Sequence, residues 1–388
     1  MKILRIFIIL FVCLLPLKAI EPLSDQANIY HLTCTPGEDL YSIFGHSAIR
    51  VQDPAQGIDL VFNYGTFDFM TPNFYLKFMN GQLDYMLSVS RFSSFLSSYR
   101  DDHRGVQAYL LNLSQPEKQQ VWDFLRWNME PENRKYRYDF FFDNCATRIR
   151  DLYFRIKGIE AADFELQGNH SYRDYLHQYL QKSPWTAQGI DLIIGIKADA
   201  KASPYSRAFL PDYLDSLFLH PSANELFLKK EQILDDSVTD TESTGISPFM
   251  ASTLLLLFFL FISMVELKMK RKFLIFDRFL LLITGLCGLL IGYLWFFTDH
   301  QVTVWNFNLL WAMPSNFVLL FVLDNKRKSV WLRWWIRITF LLSSMVFCFG
   351  YFFMQNFPSL VYPMALTLMV RLCYYCHWRF IFRQQTIA

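Results

Sequence analysis

Unbalanced charge is what this chain most lacks. Of its 388 residues 19% are charged and the net charge is +2, which argues neither for nor against an anionic partner. No basic stripe runs beside a base-reading motif, so nucleic acid is not an expected partner. Cysteine is also sparse, at seven residues. Between residues 20 and 240 it occurs only as Cys34 and Cys145, too few for a disulfide framework. A single bridge between those two is the competing structural reading of Cys145. Cys373 and Cys376 have the spacing of half a metal knuckle, but no second pair lies nearby, so neither metal nor cofactor is expected. What the chain does have is apolar bulk, 53% hydrophobic residues with 39 Phe, and it is spread unevenly.

The apolar residues fall in two places. Lys2 and Arg5 precede an apolar core over residues 6–15 and a Leu17-Lys18-Ala19 cleavage site, which reads as a signal peptide over residues 1–19. Residues 20–234 are mixed and polar, as expected of a soluble domain. Residues 47–51 alternate and meet a turn at Asp53-Pro54; residues 60–64 and 106–111 are further strands. Ser114 and Glu117 have capping-box spacing before a helix, and residues 145–156 are amphipathic, ending at Gly158. An acidic, Ser/Thr-rich linker over residues 235–247 leads to the second region, 248–388. Five spans are expected there, over residues 248–267, 274–297, 307–323, 338–354 and 358–376.

Charge between the spans sets their direction. Lys268, Lys270, Arg271 and Lys272 follow the first; Lys326, Arg327, Lys328, Arg333 and Arg337 separate the third and fourth; Arg379 and Arg383 follow the fifth. The opposite loops carry no Lys or Arg. The expectation is a multi-pass membrane protein with the polar domain on the trans side and the C-terminus in the cytoplasm. Trp295, Trp305, Trp311, Trp331, Trp334 and Trp335 fall near span ends, as an aromatic belt would.

Two short runs carry chemistry, Gly45-His46-Ser47 and Asp143-Asn144-Cys145. A cysteine opening a helix meets dipole and free N–H groups that favour thiolate, and an imidazole nearby can share its proton. His46 preceding Cys145 matches the order of a circularly permuted papain-like site. The expected fold is therefore an α+β permuted papain-like domain followed by an all-α five-helix transmembrane domain. A third group must orient the ring, and Asn63 and Asp68 are the candidates. Asn144 either caps the helix or stabilises an oxyanion. Arg148 and Arg150 either bind phosphate or pair with Asp143 and Asp151. His31 and His103 have no motif around them, and His170 and His177 sit in a polar stretch that looks solvated. Asp299, His300, Asn306 and Asn308 form a polar cluster on the same predicted side as the thiol, as a membrane-side site would. Pro314 and Asn316 suggest a kinked third span.

Residues 41–51 (YSIFGHSAIRV), 63–69 (NYGTFDF) and 143–151 (DNCATRIRD) together resemble the Lnb family of Bacteroidota, and the loop at Asp299-His300 with Asn306, Asn308 and Pro314 is similar to its membrane part. The resemblance covers nearly the whole chain and implies a multi-pass protein of the bacterial inner membrane, with residues 20–247 in the periplasm. It implies a lipoprotein N-acyltransferase that moves an acyl chain from a membrane phospholipid or other acyl-lipid donor to the α-amine of a lipoprotein's diacylglyceryl-cysteine. Cys145 would then be the acylated nucleophile and His46 the base, with no cofactor. A papain-like cell-wall peptidase or amidase, or a non-catalytic membrane sensor, are the alternatives. Intact Cys145 and His46 speak against the sensor, and five spans against the wall enzyme.

Overall fold

The computed structural model describes residues 21–164, 168–220, 223, 226–236, 245–323 and 330–383. The expected leader, most of the linker, and Lys326, Arg327 and Lys328 lie outside the described residues. The chain forms an N-terminal sheet-plus-helix domain followed by a helical, membrane-like region.

Seven strands build one antiparallel sheet: β1 (Asn28–Cys34), β2 (His46–Asp53), β3 (Ile58–Thr66), β4 (Asp84–Arg91), β5 (Val106–Leu111), β6 (Lys135–Arg137) and β7 (Phe227–Leu234). Their order across the sheet is β6-β4-β3-β2-β1-β5-β7. The strands expected from alternation are present at β2, β3 and β5. β2 ends at Asp53, whose carboxylate accepts from the Ala55 N–H and so fixes the turn into β3.

Period-two alternation sorts the strand side chains onto two faces. Ile49, Val51, Phe62 and Tyr64 face a core shared with α3 (Gln115–Met129) and α4 (Cys145–Lys157). Leu32, Cys34, Ala48 and Val61 face the other way, under Phe95 of α2 (Phe92–Asp101). The capping box that opens α3 is formed, with the Ser114 N–H donating to Glu117 at 2.6 Å. Gly158 ends α4 at φ 63°. A short helix, α1 (Phe74–Met79), lies in the β3–β4 connection. Helices α5 (Tyr172–Leu180), α6 (Pro184–Ile193), α7 (Pro204–Arg207) and α8 (Pro211–Phe218) complete the domain.

The second region contains α9 (Pro248–Met269), α10 (Leu274–Phe296), α11 (Ser315–Val322), α12 (Val330–Phe349) and α13 (Val361–Arg383). Among the described residues, three helical segments are long and apolar enough to cross a membrane, over Pro248–Met269, Leu274–Phe296 and Val330–Phe352. Phe307–Val322 and Val361–Tyr374 are shorter apolar segments. The third expected span is thus broken rather than kinked: a 3-10 turn at Phe307–Leu310 precedes α11, and Pro314 sits at the helix N-cap, where its missing N–H costs nothing. Helix α12 is described from Val330 onward, so Arg333 and Arg337 belong to the helix and not to a loop. Trp311 is buried in the helical core and is no part of an aromatic belt, whereas Trp331 and Trp334 are exposed. The buried Arg371 guanidinium joins Glu266 at 2.8 Å and Asp277 at 2.6 Å, tying α9, α10 and α13 together. Ions this deep persist only when paired.

Backbone-to-backbone bonds seat one region on the other. The Gly195 N–H donates to Val302 O at 2.8 Å, and the Asp299 N–H to Asn80 O at 2.8 Å.

Candidate active site

Cys145 stands at the first turn of α4 because Asn144 caps it. The Asn144 Oδ1 accepts the Thr147 N–H at 2.9 Å, and Thr147 Oγ1 accepts the Asn144 N–H at 2.7 Å. The Asn144 amide donates to Phe140 O and Phe209 O, both at 2.8 Å. Its donors are therefore spent on the fold. The oxyanion alternative for its side chain is corrected to a cap that also anchors the thiol loop.

The β2–β3 ladder runs from Asp53↔Ile58 to Ile49↔Phe62 and pairs no further toward the start of β2. Beyond that point β3 bulges between Asn63 and Thr66. The Ser47 N–H, left without β3, points at the Cys145 sulfur together with the N–H groups of Ala146 and Cys145 itself. Gly65 lines this opening at φ +85°, where a Cβ would stand 4.0 Å from the Cys145 Cβ and 3.8 Å from the Tyr138 ring. Both are ordinary contact distances, so it is the positive φ, which glycine adopts freely, that constrains the position. Gly45, at φ +76°, is more tightly constrained, since a Cβ there would also lie 2.9 Å from Cys34 O.

His46 opens β2, one residue from the Ser47 N–H that meets the sulfur. Alternation puts its side chain on the α2 face with Ala48, while the thiol arrives from the α4 face. The ring and the thiol therefore approach β2 from opposite faces of the sheet. Among the described residues the His46 hydrogen bond goes from Nε2 to Asn63 Oδ1, at 3.4 Å, and not to the thiol. The ring looks into a cavity of about 350 Å³ lined by Asn63, Thr66, Ser88, Ser90 and Tyr99, among others.

Burial governs both titrations. It pushes the His46 imidazole down to about 4, helped by the Arg104 cation and opposed by the Asn63 hydrogen bond. It also pushes the Cys145 thiol up, against the three N–H groups that favour thiolate. The expectation of a lowered thiol is thus reversed: the helix N-terminus is present, but desolvation outweighs it. At neutral pH the resting pair is a neutral ring and a neutral thiol. Neither group carries the charge of a stored thiolate–imidazolium pair.

Asn63 and Asp68 part company here. Asn63 holds the ring, whereas exposed Asp68 caps its own turn, accepting the Met70 N–H at 2.8 Å. Asp68 is therefore no orienting group for His46. Arg148 pairs with Asp143 at 2.6 Å and Arg150 with Asp151 at 2.7 Å. Both Cys34 and Cys145 are free thiols.

The membrane-side residues also resolve. Buried Asn306 and Asn308 both donate to Leu192 O, at 2.8 and 3.2 Å, and the Asn308 Oδ1 accepts from Trp311. They clamp α6 to the helical region. His300 meets Met79 O at 3.1 Å. Asp299 enters through its backbone N–H.

Several contributors carry no sequence signal. The Ser47 N–H is a backbone group, and Arg104 and Tyr99 reach the site only through folding. His177 is not simply solvated: it meets Asp191 at 2.8 Å in a buried cluster with Arg173 and Asp199. His31, which has no motif around it, pairs with Asp215 at 3.1 Å in the core.

Comparison with known families gives two matches. Residues 23–179 match the Lnb N-terminal periplasmic domain, and residues 240–382 match the Lnb transmembrane domain. The chain belongs to the Lnb family. It therefore carries a periplasmic domain and a membrane domain, in the order the fold displays. No curated protein and no solved structure gave a match.

Proposed function

We propose that this Lnb-family protein is a membrane-bound, cysteine-dependent lipoprotein N-acyltransferase with a permuted papain-like site. It would lie in the inner membrane with the thiol domain outside and the C-terminus in the cytoplasm. The observation that carries the reading is the half-buried Cys145 sulfur, met by the N–H groups of Ser47, Cys145 and Ala146, in a domain seated on apolar helices.

In the first half-reaction the sulfur attacks an ester carbonyl of a membrane lipid. The S–C bond forms, the ester C–O bond breaks, and the thiol proton passes through His46 to the departing alkoxide. The converging N–H groups stabilise negative charge beside the sulfur as the tetrahedral intermediate forms. In the second half-reaction the lipoprotein α-amine attacks the thioester, the C–S bond breaks, and an amine proton returns to sulfur by the same ring. One site serves donor and acceptor in turn because the acyl group waits on the enzyme. A neutral His46 suits this cycle, since only the unprotonated ring can accept the thiol proton.

Mass spectrometry of lipoprotein N-termini, from cells that depend on this chain, tests the proposal. Triacylated termini are expected with the native protein and should be lost with Cys145→Ala. Triacylation that survives the substitution would overturn the reading. Cleaved wall peptides in place of acylated termini would favour the peptidase alternative.

A further inference from the structure

The β3–β4 connection exposes an apolar surface that the reaction scheme above does not use. Phe69, Met70, Tyr75, Leu76, Phe78 and Met79 are all exposed, Met70 at 86% and Tyr75 at 80%. From Phe67 to Asn80 the charged residues are Asp68 and Lys77 alone. Phe67 and Phe74 fill the inside of the hairpin, 5.7 Å apart, so its outer residues face away by construction. A cluster this apolar is unusual on a surface that meets only water.

Its position supplies the partner. The Tyr293 hydroxyl donates to Asn80 Oδ1 at 2.5 Å, and His300 and Asp299 bond to Met79 and Asn80 just past α1. Tyr293 lies three residues inside the end of α10 at Phe296, or about 4.5 Å of rise. A helix of 23 residues is about 35 Å long, slightly more than the hydrocarbon thickness of about 30 Å. Asn80 is therefore held level with the last turn of a span, where headgroups meet acyl chains.

We infer that the hairpin of residues 67–79 is embedded in the outer leaflet of the bilayer, with lipid acyl chains as its partner. Phe, Tyr and Met beside a span end are the side chains this boundary favours. The embedded surface is continuous with the thiol wall. Phe67 lies 5.3 Å from Tyr85, Tyr85 stacks on Tyr138 at 4.3 Å, and Tyr138 borders Gly65 opposite Cys145. Lipid chains held at the hairpin would thus begin at the apolar side of the sulfur. The embedding itself does not depend on the acyltransferase reading.

Photocrosslinking of the full-length protein in phosphatidylethanolamine/phosphatidylglycerol proteoliposomes tests this. Benzoylphenylalanine replaces Phe69 or Tyr75, with Phe261 in α9 as the lipid-facing reference and Leu228, exposed on the charged strand β7, as the aqueous reference. Lipid adducts at positions 69 and 75 should approach the yield at 261 and exceed that at 228 several-fold, since the side chains would sit at the acyl boundary. Yields equal to those at 228, or crosslinks to a second copy of the chain instead of lipid, would overturn the inference. Since the readout is adduct mass, it holds whether or not Cys145 carries an acyl group.

Discussion

Cys34 and Cys145 are the two thiols of the exported domain, and they lie on opposite faces of one sheet. Cys34 is wholly buried among Leu32, Ala48 and Phe95, with its thiol pushed up to about 12 by burial. Cys145 is half-buried at a helix start, where β2 and β3 have separated and three N–H groups are free to meet the sulfur. Both thiols are raised, so pKa alone does not separate them. The backbone donors that meet the Cys145 sulfur and its partial exposure do.

The largest test of that contrast is substitution. Cys145→Ala should remove acyl transfer outright. Cys34→Ala should leave the rate within a few-fold and cost about 1–2 kcal/mol of stability through the small cavity it leaves. Parallel activity assays and denaturant melts check the pair. A catalytic loss at Cys34 as deep as that at Cys145 would break the comparison. His46→Ala comes next, with an expected fall of about 10²–10⁴ in kcat, the usual contribution of a positioned general base. Asn63→Ala should cost less, about tenfold, since it removes the orienting bond and leaves the ring. Asp68→Ala, which touches neither group, should fall within assay error.

The same contrast has a pH signature. The folded His46 pKa is depressed to about 4, so the ring stays neutral from neutral pH down to near that value. Activity should hold through pH 6 and fall as pH drops through about 4, where the protonated base can no longer accept the thiol proton. Alkylation of Cys145 by iodoacetamide should be slow at pH 7 and should still be rising past pH 9, because burial raises the thiol. Cys34 should resist the reagent throughout. A Cys145 alkylation midpoint near pH 6 would show a stored ion pair and contradict the neutral resting state. The smallest effect is at the cap: Asn144→Ala should lower stability by about 0.5–2 kcal/mol, read by thermal melting.

Much of this was legible in the sequence because it is local. The α3 capping box, the Cys145 helix with its Gly158 stop, and strands β2, β3 and β5 are set by neighbours in the chain. Asn63 was legible as one of two options but not as the choice. Asn63 and Asp68 differ by where the β3 bulge leaves them, and a bulge in β3 answers to its partner strand β4. Asn306, Asn308 and His177 read as solvated or site-lining, because polar side chains look alike until their long-range partners appear. The raised thiol was hidden for the same reason: a helix start is visible in sequence, and the surrounding burial is not.

The central claim is that Cys145 holds the acyl group between donor and acceptor. The purified protein, incubated with phospholipid and no lipoprotein and then digested, should yield a Cys145 peptide heavier by one acyl chain, released by neutral hydroxylamine and absent with Cys145→Ser. An unmodified Cys145 peptide alongside ongoing transfer to added lipoprotein would contradict the account.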